Sequence, residues 1–220
     1  MSGAAMAPAE RYWVLAHAAT RPGADLAEPR ASAGAVLLAL RDLGGLSCLA
    51  PDAGGRLRPL GGAEGRAHAS SLLMATFDRS LTEAGWVDRL CLSPTGGRLR
   101  RALGELSASV SGKTGVPLVR RRGISGLVSG ARELDRSHPS FPPAARECLG
   151  WLAGPGEAPA AALRMLDLAG ALRPLSRLDA GAVRRAIEAH RGSSGWRSCD
   201  EVVSLVENAG FMGATLTGAL

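Results

Sequence analysis

Leu81-Thr-Glu-Ala-Gly85 is the clearest copy of a pattern that this sequence repeats: an apolar-periodic segment closes on a glycine, and an apolar residue follows. A glycine in that place takes the left-handed conformation that ends a helix, and the next apolar side chain folds back on the last turn. The other copies close on Gly44, Gly170 and Gly210. These helix ends predict at least four helices.

The composition and the spacing of the apolar residues also favour helices. Aromatic residues make up only 4% of the chain, and cores rich in alanine and leucine are more typical of packed helices than of sheets. Apolar side chains recur with the helical period in six segments, which are Ala35–Leu43, Ala69–Ala84, Pro143–Leu152, Pro159–Ala169, Asp179–His190 and Ser198–Ala209. Asp179 is the expected N-cap of the fifth segment, and Ser198 with Glu201 forms a capping box at the sixth. The sequence therefore predicts a mainly α fold.

Extended segments are few and short. Leu46–Ala50 and Arg56–Leu60 flank the turn-forming residues Pro51-Asp-Ala-Gly-Gly55, which is typical of a β-hairpin. Trp86–Leu92 has the length of a short strand or a tight wing. We therefore expect one or two short β-hairpins beside the helices.

Two breaks divide the chain into domains. Ser107–Val119 is rich in serine and glycine and shows no apolar period, which is typical of a linker. Ser137–Pro143 contains three prolines in five residues, and prolines so close together stop a helix. We therefore predict an amino-terminal helical domain at residues 1–106, a basic linker at 107–140 and a carboxy-terminal helical domain at 141–220.

Length and composition indicate a soluble globular protein. A chain of 220 residues with 46% hydrophobic and 21% charged residues can form a substantial core. No apolar run approaches the roughly 20 residues that cross a bilayer. The run Tyr12–Ala19 contains His17 and follows Glu10 and Arg11, unlike the apolar centre of a signal peptide. We expect a cytoplasmic protein with no membrane partner.

Sites for metals, cofactors or catalysis are not indicated. The four cysteines lie 43, 57 and 51 residues apart, too far for the close ligand pairs of zinc sites, and the four histidines are scattered. Gly112-Lys-Thr114 ends like a phosphate-binding loop, but position 107 is serine where that loop needs glycine. We therefore expect no enzymatic activity, no metal and no cofactor, with the cysteines as buried thiols.

The positive charge of the chain is concentrated in one stretch, residues 95–136. It holds nine basic residues, which are Arg98, Arg100, Arg101, Lys113, Arg120, Arg121, Arg122, Arg132 and Arg136. Three acidic residues oppose them, so the local balance of 9 − 3 = +6 equals the net charge of the whole chain, 26 − 20 = +6. So local an excess is typical of a surface that binds a polyanion, most often nucleic acid. The adjacent Arg120–Arg122 repel one another unless anions such as phosphates neutralise them.

Residues 65–103 contain the phrases Gly85-Trp-Val87 and Leu92-Ser-Pro-Thr-Gly96. This part of the chain resembles the second half of the winged-helix DNA-binding domains of MarR-type regulators. The resemblance implies winged-helix-like domains and makes Ala69–Ala84 a recognition helix, with Ser70, Ser71, Thr76 and Arg79 facing DNA. Only seven positions separate Gly85 from Leu92, so a full two-stranded wing does not fit. An ordinary helical hairpin with capped ends is the alternative.

The arginine-rich centre and the resemblance together favour a non-enzymatic DNA-binding regulator or accessory factor. In this interpretation, Arg98, Arg100, Arg101 and Arg120–Arg122 contact the phosphates of double-stranded DNA, and homodimer formation stays open. The alternative is a helical scaffold or adaptor whose basic connector binds an acidic protein partner.

Overall fold

Helix α1, Pro8–Ala19, lies at the centre of the fold. Its proline stands in the first turn, where a backbone N–H has no helical partner to lose. The side chains from Tyr12 to His17 are all buried, as expected for a helix that other elements surround. The apolar run at Tyr12–Ala19 therefore forms the central core helix.

The computed structural model describes residues 5–20, 28–45, 49–59, 81–92, 96–120 and 132–217. In these ranges the helices after α1 are α2 (Pro29–Gly45), α3 (Glu83–Val87), α4 (Gly96–Thr114), α5 (Phe141–Leu152), α6 (Glu157–Leu168), α7 (Leu172–Ser176), α8 (Ala180–His190), α9 (Ser194–Arg197) and α10 (Asp200–Thr217). The strands are β1 (Leu49–Pro51), β2 (Leu57–Pro59), β3 (Leu118–Arg120) and β4 (Arg132–Leu134), paired antiparallel as β1–β2 and β3–β4. The predicted mainly α fold with short β-hairpins is confirmed.

The core is continuous from the amino-terminal to the carboxy-terminal half. Helix α1 packs against α2 and α4 of the amino-terminal half of the chain and against α5, α6 and α7 of the carboxy-terminal half. One cluster of buried side chains accordingly joins Val14 and Leu37 to Leu149 and Leu163. The two predicted domains thus share apolar packing around α1. Within the described ranges, no helix is long and apolar enough to cross a bilayer.

Most of the predicted helices are present, with shifted ends. The predicted segments at Ala35–Leu43, Pro143–Leu152, Pro159–Ala169, Asp179–His190 and Ser198–Ala209 fall within or closely match α2, α5, α6, α8 and α10. Asp179 is the N-cap of α8, with its carboxylate accepting from the N–H of Ala182 at 2.8 Å. Ser198 instead ends α9, and α10 begins at Asp200. The predicted helix Ala69–Ala84 lies outside the described residues up to position 80.

The glycine pattern has a different outcome at each position. Gly170 ends α6 as predicted, with φ +67° and an N–H that donates to Asp167 O at 2.9 Å. Gly44 lies in the last turn of α2, one residue before its end. The end predicted at Gly210 is wrong because α10 continues to Thr217. Glycine without the left-handed conformation weakens a helix but does not end it.

Gly85 lies at the start of a helix, so the end predicted there is wrong. Thr82 is the N-cap of α3, and its hydroxyl accepts from the N–H of Gly85 at 3.2 Å. A short π-helical turn, Asp88–Leu92, continues α3, so the predicted strand or wing at Trp86–Leu92 is also wrong. Trp86, Val87 and Leu90 are buried and recur with helical spacing, and the segment packs against α2 and α10.

Helix α4 continues through residues 107–114, where the sequence predicted a linker. Leu99, Ala102, Leu103, Leu106 and Val110 form its buried stripe. Ser107 completes the stripe because its hydroxyl accepts from Trp13 Nε1 at 2.8 Å and donates to Leu103 O at 2.9 Å. Ser107 therefore makes a polar contact between α1 and α4, and its polar side chain obscures the helical period in the sequence.

Candidate nucleic-acid interface

The hairpin β3–β4 carries the cationic site that the structure defines most clearly. Gly115, with φ +69°, ends α4 and turns the chain towards Pro117 and β3. Pro117 O accepts from the N–H of Asp135 at 2.9 Å, which closes the root of the hairpin. Leu134 is buried in the core and fixes β4 on the body of the protein.

The register of this hairpin places Arg120 directly opposite Arg132. Both side chains are exposed, and within the described ranges neither forms an ion pair. Side chains alternate between the two faces of a strand, so the arginine pair shares a face with Leu118 and Leu134. Glu133 belongs to the opposite face, in register with Val119. We call Arg120 and Arg132 the cross-strand arginine pair.

The sequence between the two strands adds further positive charge. Residues 121–131 contain Arg121 and Arg122 and no aspartate or glutamate. This segment lies outside the described residues, so the positions of both predicted site residues are not defined. By composition alone, Leu118–Leu134 carries four arginines and a single carboxylate, Glu133.

Two of the nine cations in the basic stretch make contacts that hold the fold together. The ammonium of Lys113 lies 2.7 Å from Glu10 Oε2, and the side chain of Glu10 is 1% exposed. Arg136 Nη1 donates to the carbonyls of His17 and Thr20 at the end of α1. A cation there also complements the partial negative charge of a helix C-terminus. Lys113 and Arg136 therefore hold α1 in place and are not available to a partner.

The arginines of α4 lie at the other end of the helix from the hairpin root. Arg100 and Arg101 are exposed, and Arg101 Nε lies 3.3 Å from Glu105 Oε1 in an (i, i+4) ion pair at the surface. A helix rises about 1.5 Å per residue, so Arg101 is roughly 20 Å along α4 from Gly115. Arg98 belongs to α4, but its side chain lies outside the described residues. The predicted contacts thus lie near the two ends of α4 and are not gathered at one point.

The predicted recognition-helix residues cannot be placed. Ser70, Ser71, Thr76 and Arg79 all lie outside the described residues. Leu81 O accepts from Leu57 N at 2.9 Å in a β-bridge, and α3 begins only at Glu83. A single helix does not therefore extend across residues 81–84.

The structure also shows exposed basic residues that were not among the predicted contacts. Arg132 belongs to the basic stretch, but its position opposite Arg120 depends on the strand register. Strands of three residues are too short for the sequence to predict that register. A second group of exposed arginines lies on or beside α7 and α8, at Arg173, Arg177, Arg184, Arg185 and Arg191. Arg184 is paired with Glu188 at 2.9 Å. Acidic residues lie among these arginines in the sequence, so the local excess of positive charge is smaller than in residues 95–136.

The cysteines of the described residues are buried thiols. Cys91, Cys148 and Cys199 are buried and free, as predicted, whereas Cys48 lies outside the described ranges. Burial raises the pKa of Cys91 and Cys148 to about 12, so both stay protonated at neutral pH. In the described part of the chain, no group of three or more His, Cys, Asp or Glu side chains could hold a metal ion.

Comparison with known proteins gave no match to a family model, to a protein of curated function or to a solved structure.

Proposed function

We propose that this protein is a non-enzymatic, DNA-binding regulator or accessory factor that grips the phosphates of double-stranded DNA. Hairpin β3–β4 provides the principal contact through Arg120 and Arg132, joined by Arg121 and Arg122 in the intervening sequence. Arg100 and Arg101 of α4 supply a second set of contacts.

The observation that carries this proposal is the cross-strand arginine pair. Like charges directly opposite in an antiparallel pair destabilise it, and the described residues offer no carboxylate that pairs with either guanidinium. A guanidinium presents a planar fork of donors that matches phosphate oxygens. A pair that is unfavourable in the free protein becomes favourable when phosphates neutralise it.

The hairpin favours duplex over single-stranded nucleic acid. Leu118–Leu134 contains no Phe, Tyr or Trp, whereas proteins that bind single strands commonly stack bases on aromatic side chains. A two-stranded β-ribbon can contact duplex DNA from a groove while its arginines hold the backbone. Phosphate contacts of this kind position a protein on DNA without reading its sequence.

Arg120→Ala/Arg132→Ala is expected to weaken the salt dependence of duplex binding. Each phosphate that is neutralised adds about 0.9 to the slope of log K against log salt concentration, so the slope of this variant falls by about one unit for each phosphate that the pair neutralises. Fluorescence anisotropy with a random duplex at several salt concentrations measures the slope. The matched control Arg184→Ala/Arg185→Ala removes the same charge from α8 and is expected to keep the wild-type slope.

Equal loss of slope in both double variants would show that binding follows net charge and not the hairpin. Absence of binding to any duplex at low salt would reject the proposal. In that case the alternative function applies, an adaptor whose basic surface binds an acidic protein.

A further inference from the structure

The cross-strand arginine pair places two like charges opposite each other on hairpin β3–β4. Other arginines have a carboxylate as partner. Arg41 lies 2.7 Å from Glu83, and Arg184 lies 2.9 Å from Glu188. Arg120 and Arg132 are instead like charges in register. Positions where a sequence departs from the locally stable choice are commonly functional.

The geometry of an antiparallel pair brings the two side chains towards one point. Residues directly opposite have Cβ atoms about 4.5–5.5 Å apart on the same face. Two guanidinium groups at that spacing can donate to a single oxyanion from both sides. A phosphate group has enough acceptor positions for two donor forks, and the charge-assisted hydrogen bonds to it are strong.

We infer that Arg120 and Arg132 hold one phosphate group between the two strands, and that this phosphate stabilises the hairpin. The identity of the natural ligand rests on the proposed function, which makes it a backbone phosphate of duplex DNA. Free inorganic phosphate offers the same chemistry and serves as the second source.

The test compares amide hydrogen exchange at residues 118–120 and 132–134 in chloride and in phosphate at equal ionic strength. In the wild type, phosphate is expected to slow exchange about threefold, since a cross-strand contact of this size shifts local opening by that factor. Arg132→Glu places a carboxylate opposite Arg120. We expect its exchange in chloride to be already about threefold slower than that of the wild type, with no further response to phosphate.

Two further variants define the outcomes. Arg132→Gln removes the repulsion without creating an ion pair, so intermediate protection and no phosphate response are expected. Arg173→Glu makes the same charge change on α7 and is expected to behave as the wild type. A phosphate response that persists in Arg132→Glu and Arg132→Gln, or faster exchange in Arg132→Glu, overturns the inference.

Titration with a random duplex separates this inference from the proposed function. Protection of the wild-type hairpin by both duplex and inorganic phosphate supports both. Protection by inorganic phosphate alone keeps the arginine pair as a phosphate site and rejects DNA as its source. Protection by neither rejects the phosphate site itself.

Discussion

Glu10→Gln is expected to lower the free energy of unfolding by about 3 kcal/mol, because it breaks a buried charge network. The Glu10 carboxylate accepts from the N–H of Ala7 at 2.5 Å, from Ser109 Oγ at 2.6 Å and from Lys113 Nζ at 2.7 Å. Burial alone would raise the pKa of Glu10, but hydrogen bonds from Lys113, Ser109 and Ala7 hold it below its ordinary value. A neutral amide removes the negative charge beside Lys113. It also has one acceptor oxygen where the carboxylate has two. Urea denaturation at neutral pH measures the loss.

Glu188→Gln is the matched control for this variant. Glu188 pairs with Arg184 on the surface of α8, where the two side chains are 61% and 82% exposed. Exposed pairs of this kind contribute little, so the expected change is below about 0.5 kcal/mol. Equal effects in the two variants would contradict the view that Lys113 is a structural cation that joins α4 to α1.

Acidification from pH 6.5 to about 4 is expected to lower the free energy of unfolding by about 3 kcal/mol through His17. His17 Nδ1 lies 2.9 Å from Trp13 O and therefore donates, which leaves Nε2 as the unprotonated nitrogen. Among the described residues, buried Nε2 has no hydrogen-bond partner. Burial lowers the pKa of His17 from 6.5 to about 4, and the nearby Arg136 guanidinium adds to the effect.

The sign of this dependence follows from proton uptake. Between pH 6.5 and about 4 the unfolded chain binds a proton at His17 and the folded chain does not, so stability is complete above this window and falls through it. The loss linked to Glu10 begins only below 4.5, because the pKa of that carboxyl is lowered in the folded state. Denaturation at a series of pH values separates the two windows.

His17→Asn is expected to flatten the stability curve between pH 6.5 and 4.5, since an amide can replace the Nδ1 donor without titrating. The wild type, measured in the same buffers, is the reference for this variant. An unchanged slope in His17→Asn would show that another group titrates in this window.

Local signals in the sequence were sufficient where short-range chemistry decides the structure. The hairpin β1–β2 forms at the predicted place because Asp52 Oδ1 accepts from the N–H groups of Gly54 and Arg56, and Gly55 takes φ +71°. Gly170 and Asp179 likewise end α6 and cap α8 with contacts to near neighbours. The mainly α fold follows from such local features.

Long-range contacts explain most of the failures. Ser107 is part of a core stripe only because Trp13, 94 residues away, donates to its hydroxyl. The sequence does not show the partners of Lys113 and Arg136, because both partners come from α1. Lys113 pairs with Glu10, and Arg136 donates to the carbonyls of His17 and Thr20. The number of charges in the basic stretch can be read from the sequence, whereas the division between structural and exposed cations requires the fold.

The proposed DNA contact depends on the cross-strand arginine pair, and arginine side-chain NMR tests this contact most directly. A random duplex is titrated into the protein while the Nε–Hε signals are followed. We expect large changes at Arg120 and Arg132, which lie exposed on hairpin β3–β4, and little change at Arg136, which is bonded to α1. If only Arg173, Arg185 and Arg191 near α7 and α8 change while the hairpin signals stay unaltered, hairpin β3–β4 is not the DNA contact.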